Sequence, residues 1–118
     1  MDNRLFFPAT ERNKDSIAEV LSRILLKRGY ILEIGSGSGE HAIKFQKCFP
    51  ELTWQSSDPE LVHRESISSW IEHEELNFQM PQPLDIDVEK IPWEIPSELL
   101  NSIQGIISIN MIHIAAWN

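Results

Sequence analysis

Apolar residues along the chain follow two alternating spacings, one typical of helices and one typical of strands. Apolar side chains that return every three or four positions predict helices, whereas short unbroken apolar runs predict buried strands. The predicted helices span 16–29, 40–49, 58–71 and 97–103, and the predicted strands span 30–34, 52–56, 78–86 and 106–111. This alternation predicts an α/β fold, with a parallel sheet and helices on both faces.

Two parts of the pattern carry further expectations. The third predicted helix is expected to bury four apolar side chains, Val62, Ile67, Trp70 and Ile71. Pro81 and Pro83 interrupt the strand predicted at 78–86, and each lacks a backbone amide to donate. That segment is therefore expected to be an edge strand.

Composition and charge narrow the class of protein. A length of 118 residues predicts a single domain, 1–118. Eighteen acidic against ten basic side chains give a formal charge of −8, which disfavours a nucleic-acid partner because it would repel a phosphate backbone. The sequence shows neither a membrane-spanning apolar run nor a signal-peptide pattern, which predicts a cytoplasmic protein without a membrane partner. The one cysteine and four histidines lack the spacing of metal ligands.

A glycine-rich loop follows the first predicted strand and opens the second predicted helix. Gly35, Gly37 and Gly39 allow a tight turn and the close approach of a ligand, and they and Ser36 are candidate cofactor contacts. The spacing is G-x-G-x-G, and Glu40 stands where the dinucleotide fingerprint needs its last glycine. The loop therefore disfavours NAD and FAD, and the chain has no Walker-type phosphate-binding sequence. The alternative is that the loop is only a turn.

Two acidic residues near this loop favour a ligand that carries both a positive charge and a ribose. Glu33, two residues before the loop, would oppose a pyrophosphate but attract the ammonium and sulfonium groups of S-adenosylmethionine (SAM). Asp58 should end the second strand, where an acid can accept hydrogen bonds from both ribose hydroxyls of such a ligand. The alternatives are that Glu33 caps the loop's own amides and that Asp58 caps the following helix.

Further candidates follow the third and fourth predicted strands. Asp85 is placed to meet an adenine amino group, with Leu84 or Ile86 packed on the ring; the alternative is a solvated acid in an acidic loop. Asn110 is a candidate cofactor contact near the transferable group of the ligand. His113 is a candidate general base, although a lone histidine in an apolar run is more often structural.

Residues 33–39 resemble the E/D-x-G-x-G-x-G hallmark of the class I SAM-dependent methyltransferases. The resemblance implies SAM as the cofactor, a Rossmann-like sheet in the order 3-2-1-4-5-7-6, ribose binding by Asp58 and adenine contact by Asp85. The members look longer than this chain, which implies a chain truncated after the fourth strand, with the partial order 3-2-1-4. A narrower resemblance, to the methyltransferase-like 26 family, lies in residues 8–14, 32–41, 54–59 and 109–114.

Methyl transfer from SAM to an unidentified acceptor is the leading functional hypothesis. Arg12 and Asn13, ahead of the first helix, are expected to fold over the cofactor as a lid or to touch the acceptor, the alternative being a solvated lead-in. A second hypothesis is that the chain is a catalytically inactive truncated isoform, which binds a partner through its open sheet edge. The same exposed apolar edge predicts that the chain associates with itself. The third hypothesis, a nicotinamide-dependent oxidoreductase, is disfavoured by Glu33 and by the glycine spacing.

Overall fold

A three-stranded parallel sheet lies at the centre of the protein. The computed structural model describes residues 2–8, 19, 29–87, 89 and 103–107 of the chain. Within these residues the strands are β1 (Gly29–Glu33), β2 (Leu52–Gln55) and β3 (Ile103–Ile107), in the order β2-β1-β3. Both pairings are parallel. The predicted α/β fold with a parallel sheet is thereby confirmed.

Two helices follow the first two strands. Helix α1 (Glu40–Cys48) connects β1 to β2, and helix α2 (Leu61–His73) follows β2. Parallel neighbours need such a crossover because both strands run in the same direction. In the part of the chain that the structure describes, neither helix has the length and apolar character needed to cross a membrane. The strands and helices share one buried apolar core, which contains Ile31, Ala42, Ile43, Phe45, Leu52, Trp54, Ile67, Ile71 and Met80.

The third predicted helix forms as α2, but one of its predicted core positions is wrong. Ile67 and Ile71 are buried, and the half-buried Trp70 packs against them as part of the core. Val62, in contrast, is 54% exposed. It lies in the first turn of α2, five positions before Ile67, and at 3.6 residues per turn its side chain points about 140° away from that of Ile67. The apolar spacing alone did not separate this flank from the buried face.

The strand predicted at 78–86 is wrong, since the segment forms only one bridge beside β2. Leu84 pairs in parallel with Ser57 just beyond the end of that strand. The two prolines before Leu84 have no amide to donate, so they cannot extend the pairing. The bridge nevertheless places this segment next to β2, which agrees with the predicted order 3-2-1-4 in the described part of the sheet.

The last strand begins earlier than predicted. The sequence pattern predicts a helix that ends at Ile103 and a strand from 106, but Ile103 opens β3. Gly105 explains the difference, because a Cβ there would lie 3.3 Å from Ile31 Cδ1, and glycine lets the two strands pack closely at this point. Positions 97–102 and 108–111 lie outside the described residues.

A buried glutamine on α1 takes the place of a neighbouring strand along the first half of β2. Gln46 is fully buried. Its Nε2 donates to Leu52 O at 2.7 Å, and its Oε1 accepts from Trp54 N at 2.9 Å. Buried backbone groups almost always need such a partner. Gln46 therefore provides hydrogen-bond partners for the backbone groups of β2 that face away from β1.

Gln46→Leu is expected to lower the free energy of unfolding by about 3 kcal/mol, because each backbone group left unsatisfied in the interior costs about 1–3 kcal/mol. Gln79→Leu is the matched control, since the bond from Gln79 to Pro50 O is exposed. The control is expected to change stability by less than about 0.5 kcal/mol, as most surface substitutions do. Urea unfolding of both variants measures the difference, and equal losses would contradict the assigned role of Gln46.

Candidate functional site

A loop at residues 35–39 turns the chain from β1 into α1 at the carboxyl end of the sheet; we call it the glycine loop. Gly35, Gly37 and Gly39 have φ values of 65°, 60° and 95°. Residues with a side chain rarely adopt such left-handed conformations. The loop is closed by a hydrogen bond from Gly39 N to Ser36 O at 3.2 Å. The backbone conformation therefore explains the glycine spacing in the sequence.

Hydrogen bonds join the glycine loop to the end of β2. Ser36 N donates to Ser57 O at 2.8 Å, and Ser57 N donates to Ser36 Oγ at 3.0 Å. The Ser57 hydroxyl also donates to Glu33 O at 2.6 Å. Ser36, predicted as a ligand contact, thus links the carboxyl ends of two neighbouring strands. A ligand at this edge would meet a backbone that is already held in place.

Glu33 ends β1 directly before the glycine loop, and its side chain is fully buried. Its Oε1 accepts hydrogen bonds from Ser36 Oγ at 2.9 Å and from Trp54 Nε1 at 3.1 Å. Its Oε2 is buried without a hydrogen-bond partner among the described residues. Both contacts of Oε1 come from side chains, so the arrangement differs from the alternative in which Glu33 caps loop amides.

Burial controls the acid–base behaviour of Glu33. Removal of water from the carboxylate raises its pKa from 4.5 to about 7; hydrogen bonds from Trp54 and Ser36 oppose this rise, and the charge of Asp58 adds to it. A buried carboxylate with an unpaired oxygen is costly for the folded chain. A positive charge close to this carboxylate would offset that cost.

Asp58 follows β2 and connects the glycine loop to the start of α2. It is only 5% exposed. Its Oδ2 accepts from Gly37 N at 2.9 Å, and its Oδ1 accepts from Glu60 N at 2.9 Å and lies 3.1 Å from His63 Nδ1. A carboxylate offers about four lone-pair positions, so these contacts leave one for a further donor. Asp58 thus holds the turn before α2 and also contacts the loop, but the N-cap of α2 is Glu60, so the alternative in which Asp58 caps the helix is wrong.

A cluster of two acids and a histidine surrounds this turn. His63 Nδ1 lies 3.0 Å from Glu60 Oε2, and the possible ligand atoms of Asp58, Glu60 and His63 all lie within 4.8 Å of one another. The sequence spacing of these residues did not suggest a metal site. The ring nitrogen contacts both carboxylates directly, and these contacts hold α2 to the end of β2.

Asp85 lies at the rim of this region. Its side chain is 65% exposed, and its Oδ1 lies 3.4 Å from Arg64 Nη1. The same nitrogen donates to Asp58 O at 3.0 Å, which connects Asp85 to the end of β2. Of the two apolar residues expected to pack on an adenine ring, Ile86 is buried within the protein, whereas Leu84 is half-buried. Leu84 therefore keeps surface that a ligand can contact.

A family comparison adds to this geometry. Residues 4–118 match the model of a family described as "Protein of unknown function (DUF938)". The chain belongs to this family. The match covers nearly all of the sequence, including every element of the described sheet and the glycine loop.

Solved structures with the same fold include two whose names describe methyltransferases. The DUF938 chain is 24% identical to a candidate SAM-dependent methyltransferase from Methanococcus maripaludis, with a TM-score of 0.71, over 90% of this chain and 46% of the other. YjhP from E. coli is 21% identical, with a TM-score of 0.53, over 69% of this chain and 31% of YjhP. Coclaurine N-methyltransferase bound to N-methylheliamine and S-adenosylhomocysteine (SAH) is 11% identical, with a TM-score of 0.57, over 74% of this chain and 26% of that enzyme. These comparisons confirm the Rossmann-like methyltransferase fold. The chain spans less than half the length of each protein.

Four predicted site residues of the DUF938 chain lie outside the described residues. They are Arg12 and Asn13, predicted as a lid, Asn110, predicted as a cofactor contact, and His113, predicted as a base. Their roles stay predictions. The hydrogen bonds described above do bring together Glu33, Ser36, Gly37 and Asp58. Gly35 and Gly39 belong to the same loop.

Sequence analysis of the DUF938 chain missed two residues that shape the site. Trp54 donates its indole N–H to Glu33, and Ser66 on α2 donates its hydroxyl to Ser38 O at 2.6 Å. A tryptophan in a buried strand does signal that its N–H needs an acceptor, but not which one. A serine within an amphipathic helix carries no such signal, because its partner lies 28 residues away in the chain.

Proposed function

We propose that this chain forms the cofactor-binding part of a SAM-dependent methyltransferase. The observation that carries the proposal is the buried Oε2 of Glu33, which has no partner among the described residues and lies beside the glycine loop. A fixed, unpaired carboxylate oxygen favours a ligand with a positive charge over a ligand with a phosphate. SAM carries an ammonium and a sulfonium group, so the residues present fit this cofactor.

The neighbouring residues support a ligand of the same shape. Glycines in the loop let the ligand approach the backbone, and Asp58 keeps one acceptor position for a ribose hydroxyl. Asp85 and the half-buried Leu84 are the proposed contacts of the adenine ring. The glycine loop and Asp58 follow the carboxyl ends of β1 and β2, and the bridge between Ser57 and Leu84 places Asp85 at the same edge, where ligands of open α/β sheets bind.

The solved structures support the proposal from a second side. The protein from M. maripaludis and coclaurine N-methyltransferase are both named as methyltransferases, and the latter holds SAH. Their low identity to this chain supports a shared fold. The proposal for the cofactor therefore rests on Glu33 and its surroundings.

The remaining candidates belong to the transfer step. When bound, SAM supplies an electrophilic methyl group to the acceptor. The residues of this chain then act mainly by binding and orientation, which is where such a reaction gains most of its rate. Asn110 adds a cofactor contact, His113 takes a proton from acceptors that release one, and Arg12 and Asn13 cover the site. Membership of the methyltransferase-like 26 family is part of the same proposal.

Calorimetric titration of the purified chain with SAH tests the cofactor, and NADH represents the competing class of ligand. We expect saturable binding of SAH and none of NADH. Asp58→Asn is expected to weaken SAH binding at least about tenfold, because a hydrogen bond to a charged group is worth about 1.5–3 kcal/mol. Glu72→Gln, an acid-to-amide change at an exposed position of α2, is the matched control and is expected to leave the affinity unchanged.

Circular dichroism of each variant shows whether the chain is folded in these titrations. A folded wild-type chain that binds no SAH would overturn the proposed function. Binding of NADH in its place would favour the oxidoreductase hypothesis. An equal loss of affinity in Asp58→Asn and Glu72→Gln would remove Asp58 from the site.

A further inference from the structure

Residues 2–8 form an N-terminal strap that lies along α2. The backbone of the strap bonds to side chains of that helix at three points. Asn3 N donates to Ser69 Oγ at 3.1 Å, and Leu5 N donates to Ser66 Oγ at 2.8 Å. Trp70 Nε1 in turn donates to Leu5 O at 3.1 Å. The strap therefore has a fixed position on the helix.

Aromatic contacts add to this fixed position. The rings of Phe6 and Trp70 meet edge to face, with centroids 5.2 Å apart. The guanidinium of Arg4 lies 5.6 Å from the Phe6 ring and 5.0 Å from the Trp70 ring. Phe7 packs edge to face on His63, whose ring nitrogen meets Asp58 of the candidate site. Each contact is within the range in which such ring interactions are favourable.

Two buried side chains extend these contacts from the strap into the glycine loop. Ser66 is fully buried, accepts from Leu5 N and donates to Ser38 O at 2.6 Å. Glu40 is 6% exposed, and its Oε1 accepts from both Phe7 N and Ser38 Oγ, the latter at 2.8 Å. Ser38 is thus held at its carbonyl and at its hydroxyl by the two residues that also hold the strap.

We infer that Ser66 and Glu40 are positioning residues that couple the N-terminal strap to the glycine loop, so that a cofactor bound at the loop holds the strap on α2. The identity of that cofactor rests on the proposed function. The coupling is reciprocal by necessity, so a strap held on α2 also favours the binding conformation of the loop.

Ser69 provides a matched control. Like Ser66, it accepts a hydrogen bond from a backbone amide of the strap, but the hydrogen bond to Ser38 of the loop is donated by Ser66. The first arm of the experiment measures hydrogen exchange of the loop amides in the ligand-free full chain. Ser66→Ala is expected to speed exchange at Gly37 and Gly39 about fivefold, the lower end of usual coupling between sites. Ser69→Ala is expected to leave these two amides unchanged.

Leu5→Pro tests the coupling from the strap side, since it removes the donated N–H without a change in the loop. It is expected to speed exchange at the loop amides as Ser66→Ala does, whereas Asn3→Pro is expected to leave them unchanged. Unchanged loop exchange in Leu5→Pro would overturn the coupling. Equal effects of Ser66→Ala and Ser69→Ala would overturn it as well, because both would then act only on local helix packing.

The second arm adds SAH to the same 118-residue chains. SAH is expected to slow exchange at Leu5 and Phe7 about fivefold in the wild type and in Ser69→Ala, and to leave them unaffected in Ser66→Ala. Equal protection of the strap in Ser66→Ala would overturn the inference. A wild-type chain that binds no SAH would instead overturn the proposed function, and the ligand-free arm would still decide the coupling.

Discussion

Gly39→Ala is expected to lower the free energy of unfolding by about 3 kcal/mol, since left-handed backbone costs about 1–2 kcal/mol and overpacking of a filled core costs about 1–3 kcal/mol. Gly39 has a φ of 95° and precedes the first turn of α1. A Cβ at this position would lie 2.8 Å from Ile67 Cγ1 and 3.1 Å from Ile67 Cα. The second contact is with backbone, which a side-chain rotation cannot relieve.

The same substitution is expected to weaken SAH binding at least about tenfold, because α1 can move away from α2 only if the glycine loop between Glu33 and α1 moves with it. Gly105→Ala is the control. Among the described residues, its Cβ would meet the end of the Ile31 side chain at 3.3 Å, and a loss below about 1 kcal/mol is expected. Urea unfolding and calorimetry measure both variants. Equal stability losses would show that the contact between Gly39 and Ile67 does not limit the packing of the helices.

Local sequence patterns predicted β1, the glycine loop and α1, because these elements depend mainly on residues that are close together in the chain. Positions 31–34 of the apolar run are buried because both faces of a central parallel strand are covered, and such a strand is a continuous apolar stretch in the sequence. The glycines beside it are required by a backbone conformation that depends on few neighbours. Strand, loop and following helix could therefore be placed from sequence, and with them the acids Glu33 and Asp58.

Features that depend on distant partners could not be placed in this way. The segment at 78–86 has strand-like composition, but Gln46 already satisfies the first half of the neighbouring strand, and only Leu84 pairs with what remains. The environment of Glu33 likewise depends on the indole of Trp54, which lies 21 residues away in the chain. Spacing predicts that a side chain is buried, whereas its partner follows from tertiary packing.

Glu33→Gln is expected to raise the free energy of unfolding above pH 7 and to weaken cofactor binding at the same time. Burial raises the pKa of Glu33 from 4.5 to about 7. Between these two pH values, the ligand-free folded chain therefore keeps a proton on Glu33 that the unfolded chain has lost. The stabilisation from this proton is complete below pH 4.5 and is lost as the pH rises through about 7. At about 1.4 kcal/mol per pKa unit, the loss amounts to about 3 kcal/mol.

A glutamine cannot ionise, so Glu33→Gln should remove this pH dependence and leave a gain of about 2 kcal/mol at pH 8 after the cost of its own buried amide. Urea unfolding at a series of pH values measures the effect. Glu72→Gln, at an exposed position, is the control and is expected to keep the wild-type profile. A Glu33→Gln chain that is less stable than the wild type at pH 8 would show that the carboxylate is satisfied within the protein, against the unpaired state of its Oε2.

Ionisation of Glu33 is expected to raise the affinity for the cofactor, although it lowers the stability of the ligand-free chain. A ligand ammonium or sulfonium favours the ionised form of Glu33, so binding must release the proton that the ligand-free chain holds below about pH 7. The affinity for SAM should therefore rise about tenfold between pH 5.5 and 7, a range in which an α-amino group keeps its charge. Glu33→Gln retains every other titratable group, and its affinity should be weaker and should lack this rise. If the wild type and Glu33→Gln shared one pH profile, the proton would belong to another group, and the charge complementarity that favours SAM at this loop would be lost.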